Sequence, residues 1–185
     1  MHRRLMLAAG LGALASPALA QANDPENTLF LELKDGRVTI RLLPELAPRH
    51  VERIKVLARR GFYDNTPFHR VIAGFMAQGG DRTGTGLQGS DLPNLRSEFS
   101  PPSRASFLRG VCGMARTQQD PHSANSQFFI MLAANTGLDG QYTIWGQVTA
   151  GMEAVDKIKR GDPANNGMVR DPDKLRTMRV AADIR

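Results

Sequence analysis

Short apolar segments, separated by loops rich in glycine or proline, recur along this chain and constrain its fold more than any other feature. Several of them alternate apolar and polar residues, which is typical of β-strands with one buried face. Helical spacing occurs at about residues 48–60 and again around Met152, Val155 and Ile158, before Gly161. The pattern therefore predicts a mainly β protein, an antiparallel barrel with two helices. The predicted strands cover residues 28–33, 37–42, 68–72, 75–78, 110–115, 126–131, 143–148 and 177–184.

The N-terminal segment has the composition of a secretory signal peptide. It begins with the basic pair Arg3 and Arg4, continues with an apolar run over residues 5–14, and ends in small residues up to Ala20. Because the run is too short to span a bilayer, we expect residues 1–20 to be removed, with Ala22 as the alternative cleavage point, and the mature chain to be exported and free of the membrane. The arginine pair leaves both the Sec and the twin-arginine route open.

The rest of the chain is predicted to form one domain. Residues 21–27 are a polar linker, and residues 28–185 contain all of the predicted strands and helices. No internal repeat and no low-complexity segment divides this region, and its length is sufficient for a full hydrophobic core.

The charge of the mature chain does not by itself indicate a nucleic-acid binder. The full sequence has 24 Lys and Arg and 18 Asp and Glu residues; loss of residues 1–20 removes two arginines and leaves 22 basic and 18 acidic residues, a formal net charge of +4. The basic residues are spread along the chain without a run interleaved with aromatic residues, which favours solvated surfaces. No nucleic-acid partner is therefore expected.

Other common catalytic and cofactor sites have little support in the sequence. None of the histidines has a second histidine or cysteine at ligand spacing, so no metal site is predicted. Cys112, the only cysteine, lies in a predicted buried strand, where a thiol acts as a small apolar group. Residues 84–89 read GTGLQG and match a dinucleotide fingerprint, but Pro93 follows where the required helix would run. We expect a glycine-rich surface loop there, and no cofactor.

Arg70 is the residue most suggestive of a site. Strand alternation places it on one face with Phe68 and Ile72, whereas Phe128 and Ile130 turn the other way and are predicted to lie in the core. A single arginine in a strand is commonly solvated or ion-paired, and on spacing alone that interpretation stays open.

The segments around Arg70 contain residues that could complete a binding site. The side-chain amides of Gln78 and Gln127 can hold a guanidinium in place. If the strands are neighbours, a permanent cation lies beside an apolar patch, which suits a ligand that is mostly apolar and carries an amide. The side chains that could form a pocket for a small ring are Phe75, Met76, Phe129 and Leu138.

Five motifs, in this order, closely resemble those of the cyclophilins, a family of peptidyl-prolyl cis-trans isomerases (EC 5.2.1.8). They read FHRVI (68–72), FMAQGGD (75–81), GMAR (113–116), SQFFI (126–130) and LDG (138–140). The resemblance extends from about Thr28 to Ile184 and implies a closed eight-stranded antiparallel β-barrel capped by two α-helices. The positions that match the family's active groove are Arg70, Phe75, Met76, Gln78, Ala115, Gln127, Phe129 and Leu138.

The chain departs from the family pattern at the edge of this groove. Gly137 stands where many eukaryotic members have a tryptophan, so only weak cyclosporin binding is expected, while catalysis should survive. Tyr142 stands where they have a histidine, and Arg116 replaces a frequent asparagine. Because the family grips substrate through the main chain at the latter position, Arg116 is still expected to bind substrate, as is Tyr142.

Together with the signal peptide, the resemblance implies an exported bacterial cyclophilin of the periplasm. Its partners would be proline-containing polypeptides, and as a monomer without metal or cofactor it would accelerate rotation about X-Pro bonds and assist folding. Arg70 would donate a hydrogen bond to the prolyl nitrogen, and Gln78 would position Arg70. The alternative is a non-catalytic chaperone or scaffold that binds proline-containing segments in the same groove.

Overall fold

The computed structural model describes residues 24–184. The predicted signal peptide and the first part of the predicted linker lie outside these residues. The helices are α1 (Pro48–Arg59) and α2 (Met152–Asp156). The strands are β1 (Thr28–Leu33), β2 (Gly36–Leu42), β3 (Thr66–Pro67), β4 (Arg70–Ile72), β5 (Met76–Gly79), β6 (Val111–Met114), β7 (Phe128–Met131), β8 (Ile144–Ala150), β9 (Lys174–Leu175) and β10 (Thr177–Val180).

Eight of these strands form one curled antiparallel sheet in the order β10-β1-β2-β8-β6-β7-β5-β4. The predicted mainly β fold, with eight antiparallel strands and two helices, is confirmed. Strands β10 and β4 are the edges of the sheet, and the short strands that precede them in the chain, β9 and β3, pair with each other. The barrel is therefore completed by this two-stranded sheet, and not by a ladder between β10 and β4.

The prediction that Phe68 shares a face with Arg70 is wrong. The chain leaves the ladder between β3 and β4, where the amide of Phe68 donates to the carbonyl of Asp173 at 2.9 Å. Strand β4 begins only at Arg70, so alternation cannot be extended back to Phe68. The Phe68 ring is 1% exposed and packs edge to face on Phe128 inside the barrel.

Helix α1 covers the residues predicted for it, apart from the last. It starts at Pro48, where a missing N–H costs no intrahelical bond. Ala47 has no side chain that could cap the helix, and the carboxylate of Glu98 takes this role from a distant loop by accepting from the amides of Arg49 and His50 at 3.2 and 3.0 Å. Its apolar face packs inside the barrel against β8 and β10.

Helix α2 is shorter than predicted, because the apolar spacing suggested a helix that extends to Ile158. It ends at Asp156, and two residues after its C-cap the amide of Lys159 donates to the carboxylate of Asp173 at 2.8 Å, so the helical bond pattern is broken there. Ile158 still reaches the interior and is 4% exposed. Within residues 24–184, no helix is both long and apolar enough to cross a membrane.

Three further strands are also shorter than predicted: β6, by one residue at each end, β7 and β10. Strand β7 begins at Phe128, because Ser126 turns to Gly80: its hydroxyl donates to the Gly80 carbonyl at 2.8 Å, and its own carbonyl accepts from Tyr63. Strand β10 ends at Val180, and residues 181–183 form a 3-10 turn.

Alternation along β4 to β8 divides the buried apolar residues into two clusters on opposite faces of the sheet. The interior core, which includes Phe128 and Ile130 as predicted, fills the barrel under α1. The groove cluster lies on the outer face. Its buried members are Leu43, Met76, Phe107, Val111, Phe129, Met131 and Ile144, and Ile72, Phe75, Leu138 and Tyr142 are among those that pack against it partly exposed.

Candidate active site

A groove of about 420 Å³ lies over the groove cluster and contains nine of the ten predicted site residues. Gln127 is the exception, and it lines an adjoining cavity of about 390 Å³. The two cavities share Gln78, Ala115 and Arg116. The predicted residues in the groove are Arg70, Phe75, Met76, Gln78, Ala115, Arg116, Phe129, Leu138 and Tyr142.

Strand register brings the polar residues of the site together. Arg70 on β4 lies opposite Gln78 on β5, and Gln78 lies opposite Phe129 on β7. The Nη1 atom of Arg70 donates to Oε1 of Gln78 at 3.1 Å. Nε2 of Gln78 in turn donates to Oε1 of Gln127 at 3.0 Å. The guanidinium is thus held at one end of a chain of side-chain amides.

The far end of this chain is fixed to the loop that follows β5. Nε2 of Gln127 donates to the carbonyls of Gly86 and Gln88, both at 2.9 Å. Asp81 organises the loop, because its buried carboxylate accepts from the amides of Thr83 and Gly86 at 2.8 Å. Burial acts to raise the pKa of Asp81, but these hydrogen bonds outweigh it and keep the pKa below its ordinary value.

Asn166 completes the environment of Arg70, and sequence reasoning did not identify it. Its carbonyl accepts from Nε of Arg70 at 2.9 Å and its Oδ1 from Nη2 at 3.0 Å. Asn166 has a left-handed φ of 50°, a conformation that asparagine tolerates. The Asn165-Asn166-Gly167 run indicated only a turn. Gln118, which also lines the groove, was missed as well.

Three of the five N–H groups of Arg70 are used by these contacts, and the other two have no partner among residues 24–184. Burial lowers the pKa of Arg70 from its ordinary value, with Tyr142 acting weakly in the other direction. Arginine nevertheless stays charged in proteins. The site therefore presents a fixed cation with unused donors.

The apolar floor of the groove depends on a glycine. Gly113 on β6 lies opposite Phe129, and a Cβ there would come within 2.5 Å of the Phe129 ring and 2.7 Å of the Phe107 ring. The two rings stack with centroids 5.6 Å apart, and Tyr142 meets Phe129 edge to face at 5.7 Å. The packing of these three rings therefore leaves no room for a side chain at position 113.

The features that sequence reasoning set aside lie elsewhere or are inert. Residues 84–89 form a loop without a helix after it, as expected for a surface loop. Burial raises the pKa of Cys112, which has no exposed surface and is unsuited to act as a nucleophile. His69 is 1% exposed and lines neither cavity. No group of metal-ligating side chains occurs among residues 24–184.

A curled eight-stranded antiparallel sheet, with an arginine held beside an apolar groove, is the arrangement that the resemblance to peptidyl-prolyl isomerases of the cyclophilin type implied. The family profile described as "Cyclophilin type peptidyl-prolyl cis-trans isomerase/CLD" matches residues 28–180. This chain belongs to that family: it is a peptidyl-prolyl cis-trans isomerase, and its substrates are proline-containing peptides.

Individual relatives agree with this assignment. A probable peptidyl-prolyl cis-trans isomerase of Brucella suis biovar 1 (strain 1330) is 50% identical, over 98% of this chain and 97% of the relative. The crystal structure of cyclophilin AquaCyp293 from Hirschia baltica superposes with a TM-score of 0.76 at 30% identity, covering 88% of this chain and 76% of that one. A Cryptosporidium parvum cyclophilin-type isomerase, solved in the presence of the dipeptide Ala-Pro, gives a TM-score of 0.75 at 27% identity, covering 83% and 98%.

Proposed function

We propose that the chain is an exported isomerase that binds the twisted X-Pro amide more tightly than either planar isomer. Arg70 is the catalytic residue in this proposal, and Gln78 positions it. The observation that supports it is the location of the Arg70 guanidinium, in the same groove as Phe129 and with two unused N–H groups.

The physical basis is the change in the amide during rotation. Resonance makes the planar bond hard to turn, with a barrier of about 18–20 kcal/mol. At the twisted midpoint the nitrogen regains its lone pair and can accept a hydrogen bond from Arg70, which a planar amide nitrogen cannot do. Donors that act only at that point lower the barrier, because they stabilise the transition state and not the ground state.

Arg70 supplies only part of the required effect. Acceleration to millisecond turnover takes about five decades, or roughly 7 kcal/mol, whereas one charge-assisted hydrogen bond contributes about 1.5–3 kcal/mol. The remainder must come from removal of the amide from water and from the hold on the prolyl ring. The side chains proposed to grip that ring are Phe75, Met76, Phe129 and Leu138.

Replacement of Arg70 tests the mechanism. For purified Arg70→Ala we expect kcat/KM on an X-Pro peptide to fall about 10- to 150-fold, the loss of one charge-assisted hydrogen bond. The kcat/KM of Arg70→Lys should lie between those of the unaltered enzyme and Arg70→Ala, because lysine keeps the charge but lacks the planar fork of donors. Turnover is measured by a protease-coupled or exchange assay, and by proline-limited refolding of a client.

Arg49→Gln is the matched control. Arg49 is exposed on α1 and lines a different surface pocket, so its loss changes the net charge equally without touching the groove. Retention of full activity by folded Arg70→Ala would remove Arg70 from the chemistry. Binding of a proline peptide without turnover by the unaltered chain would favour the chaperone or scaffold role.

We further propose that the protein works in the periplasm as a monomer, without nucleic acid and with weak affinity for cyclosporin. The basic, apolar and small-residue order of residues 1–20 supports export, and the absent indole at Gly137 supports weak cyclosporin binding. Cell fractionation and N-terminal sequencing of the mature chain test the export. Cytoplasmic retention of the full chain with an intact Met1 would refute it.

A further inference from the structure

Arg116 lies where the proline groove and the adjoining cavity meet. It lines both, together with Gln78 and Ala115. A peptide that leaves the proline groove in this direction must therefore pass the Arg116 side chain. In such a complex the residue would contact a part of the substrate that does not react.

The guanidinium of Arg116 is fixed by contacts that leave its charge uncompensated. Nε donates to the carbonyl of Gln141 at 3.0 Å and Nη1 to the carbonyl of Thr117 at 2.8 Å. The group lies over the Tyr142 ring, with Cζ 4.5 Å from the ring centroid. Two of its five N–H groups are used, and the other three have no partner among residues 24–184.

The two cavities carry positive charge without an internal counterion. Within residues 24–184, their lining contains Arg70 and Arg116 and no aspartate or glutamate. Some other arginines in the same range are paired with carboxylates: Arg109 with Asp156, and Arg179 with Asp64. An acidic group on a bound peptide would therefore be the only carboxylate within the lining of the two cavities.

We propose that Arg116 is a specificity determinant, and that the enzyme prefers X-Pro substrates with an acidic residue on the side of the proline that crosses from the groove into the adjoining cavity. This inference rests on the proposed use of the groove and adds a substrate class to it. A guanidinium already fixed over Tyr142 loses little side-chain entropy when it binds a carboxylate. A lysine at the same peptide position meets like charge.

Peptides that differ at one position test this preference. Glutamate, glutamine or lysine is placed in turn at each of the three positions before the proline and at the two after it, and kcat/KM is measured for each peptide. At one or more positions on one side of the proline, we expect the glutamate peptide to exceed the lysine peptide by about three- to tenfold, as expected for a partly exposed ion pair and its like-charge counterpart. The ratio should decline toward one as sodium chloride rises to about 0.5 M.

Variants identify the residue responsible. In Arg116→Gln the glutamate-to-lysine ratio should fall to about one, whatever happens to absolute turnover, and in Arg116→Lys it should stay above one. Arg49→Gln, with the same loss of charge on α1, should keep the original ratio. If Arg116 only supports the Tyr142 wall, Arg116→Gln lowers turnover of all peptides equally and the ratio is unchanged, which refutes the proposal.

The result is separable from the proposed mechanism. Suppose that turnover of the glutamine peptides depends on Arg70 but the glutamate-to-lysine ratio is one at every position. That result refutes the charge preference and leaves the mechanism intact. Turnover that does not depend on Arg70 refutes the mechanism and leaves the ratio as an independent measurement.

Discussion

The interior core and the groove cluster are built by the same strands but differ in what lies beyond them. Side chains of the interior core meet α1 and the rest of the barrel, and Phe128 has no exposed surface. In the groove cluster, by contrast, Met76 and Phe129 line the groove, while the other buried members support them from behind. Phe128 and Phe129 are adjacent, yet one serves the fold and the other the site.

The two regions also treat polar groups differently. The groove joins Arg70, Gln78 and Gln127 in one hydrogen-bonded chain. In the interior, Nε2 of His50 and Nε1 of Trp145 have no partner among residues 24–184. Unpaired buried polar groups cost stability, whereas a fully bonded network keeps side chains in place. The polar side chains of the groove are therefore more completely hydrogen-bonded than those of the interior.

The largest expected effect comes from truncation of the adjacent phenylalanines. Phe128→Ala should lower the free energy of unfolding by about 3–5 kcal/mol, because it leaves a closed cavity among Tyr63, Phe68 and Trp145. Phe129→Ala should cost less than half of this, because water can fill the space from the groove. It should nevertheless reduce kcat/KM at least tenfold, since the wall of the proline pocket is lost. Urea unfolding and peptide turnover measure the two quantities.

Less severe substitutions allow the same comparison if an alanine variant fails to fold. If Phe128→Ala does not fold, Phe128→Leu and Phe129→Leu keep most of the apolar volume. Phe128→Leu should lower the free energy of unfolding and leave turnover per folded molecule unchanged. Phe129→Leu should lower turnover and leave the free energy of unfolding nearly unchanged. Equal effects of both variants on both quantities would contradict the division between the two clusters.

The sequence predicted the division well where strands are regular. Alternation in β7 alone assigned Phe128 and Ile130 to the core, and the structure agrees. It failed at Phe68, because one bond to Asp173, more than a hundred residues away, decides where β4 begins. The early end of α2 has the same origin, since Asp173 also accepts from Lys159. Such long-range bonds leave no periodic signal.

The candidate site shows the same limit. The spacing around Arg70 suggested that amide side chains hold it, and the distances between Arg70, Gln78 and Gln127 fit that suggestion. The contacts of Arg70 with Asn166 could not be foreseen, because that asparagine is 96 residues away in the chain. Its neighbours in the sequence are typical of a turn and carry no signal of a binding site. The catalytic and binding roles assigned to all of these residues stay predictions.

A smaller effect is expected when the loop behind the groove is loosened. In Asp81→Asn the amide nitrogen replaces one oxygen that accepts from backbone N–H groups, so the loop that holds Gln127 loses hydrogen bonds. We expect a loss of about 1–3 kcal/mol in unfolding free energy and a drop in kcat/KM, transmitted through Gln127 and Gln78 to Arg70. Turnover measured under conditions in which the variant is still folded separates the loss of activity from the loss of stability.

Asp64→Asn is the control for this prediction. Asp64 forms an ion pair with Arg179 on β10, outside the groove, with both bonds at 2.7 Å. Its replacement should lower stability while kcat/KM of the folded protein stays unchanged. If both aspartate variants lower kcat/KM to the same degree, the loop is not specifically coupled to Arg70.

The smallest effect is the response to pH, which should differ between the interior and the groove. Burial lowers the pKa of His50 and of His69 in the folded protein below the ordinary value of 6.5 at which the unfolded chain titrates, outweighing the opposing effects of Glu98 and Asp81 respectively. Stability from these rings is then complete above that value and is lost as pH falls below it, because the unfolded state binds more protons. Arg70 does not titrate, so kcat/KM should stay almost flat from about pH 6 to 9. Urea unfolding at pH 7.5 and 5.5, beside turnover across the range, checks both; a midpoint in kcat/KM near the histidine pKa would instead indicate acid-base catalysis and remove the arginine mechanism.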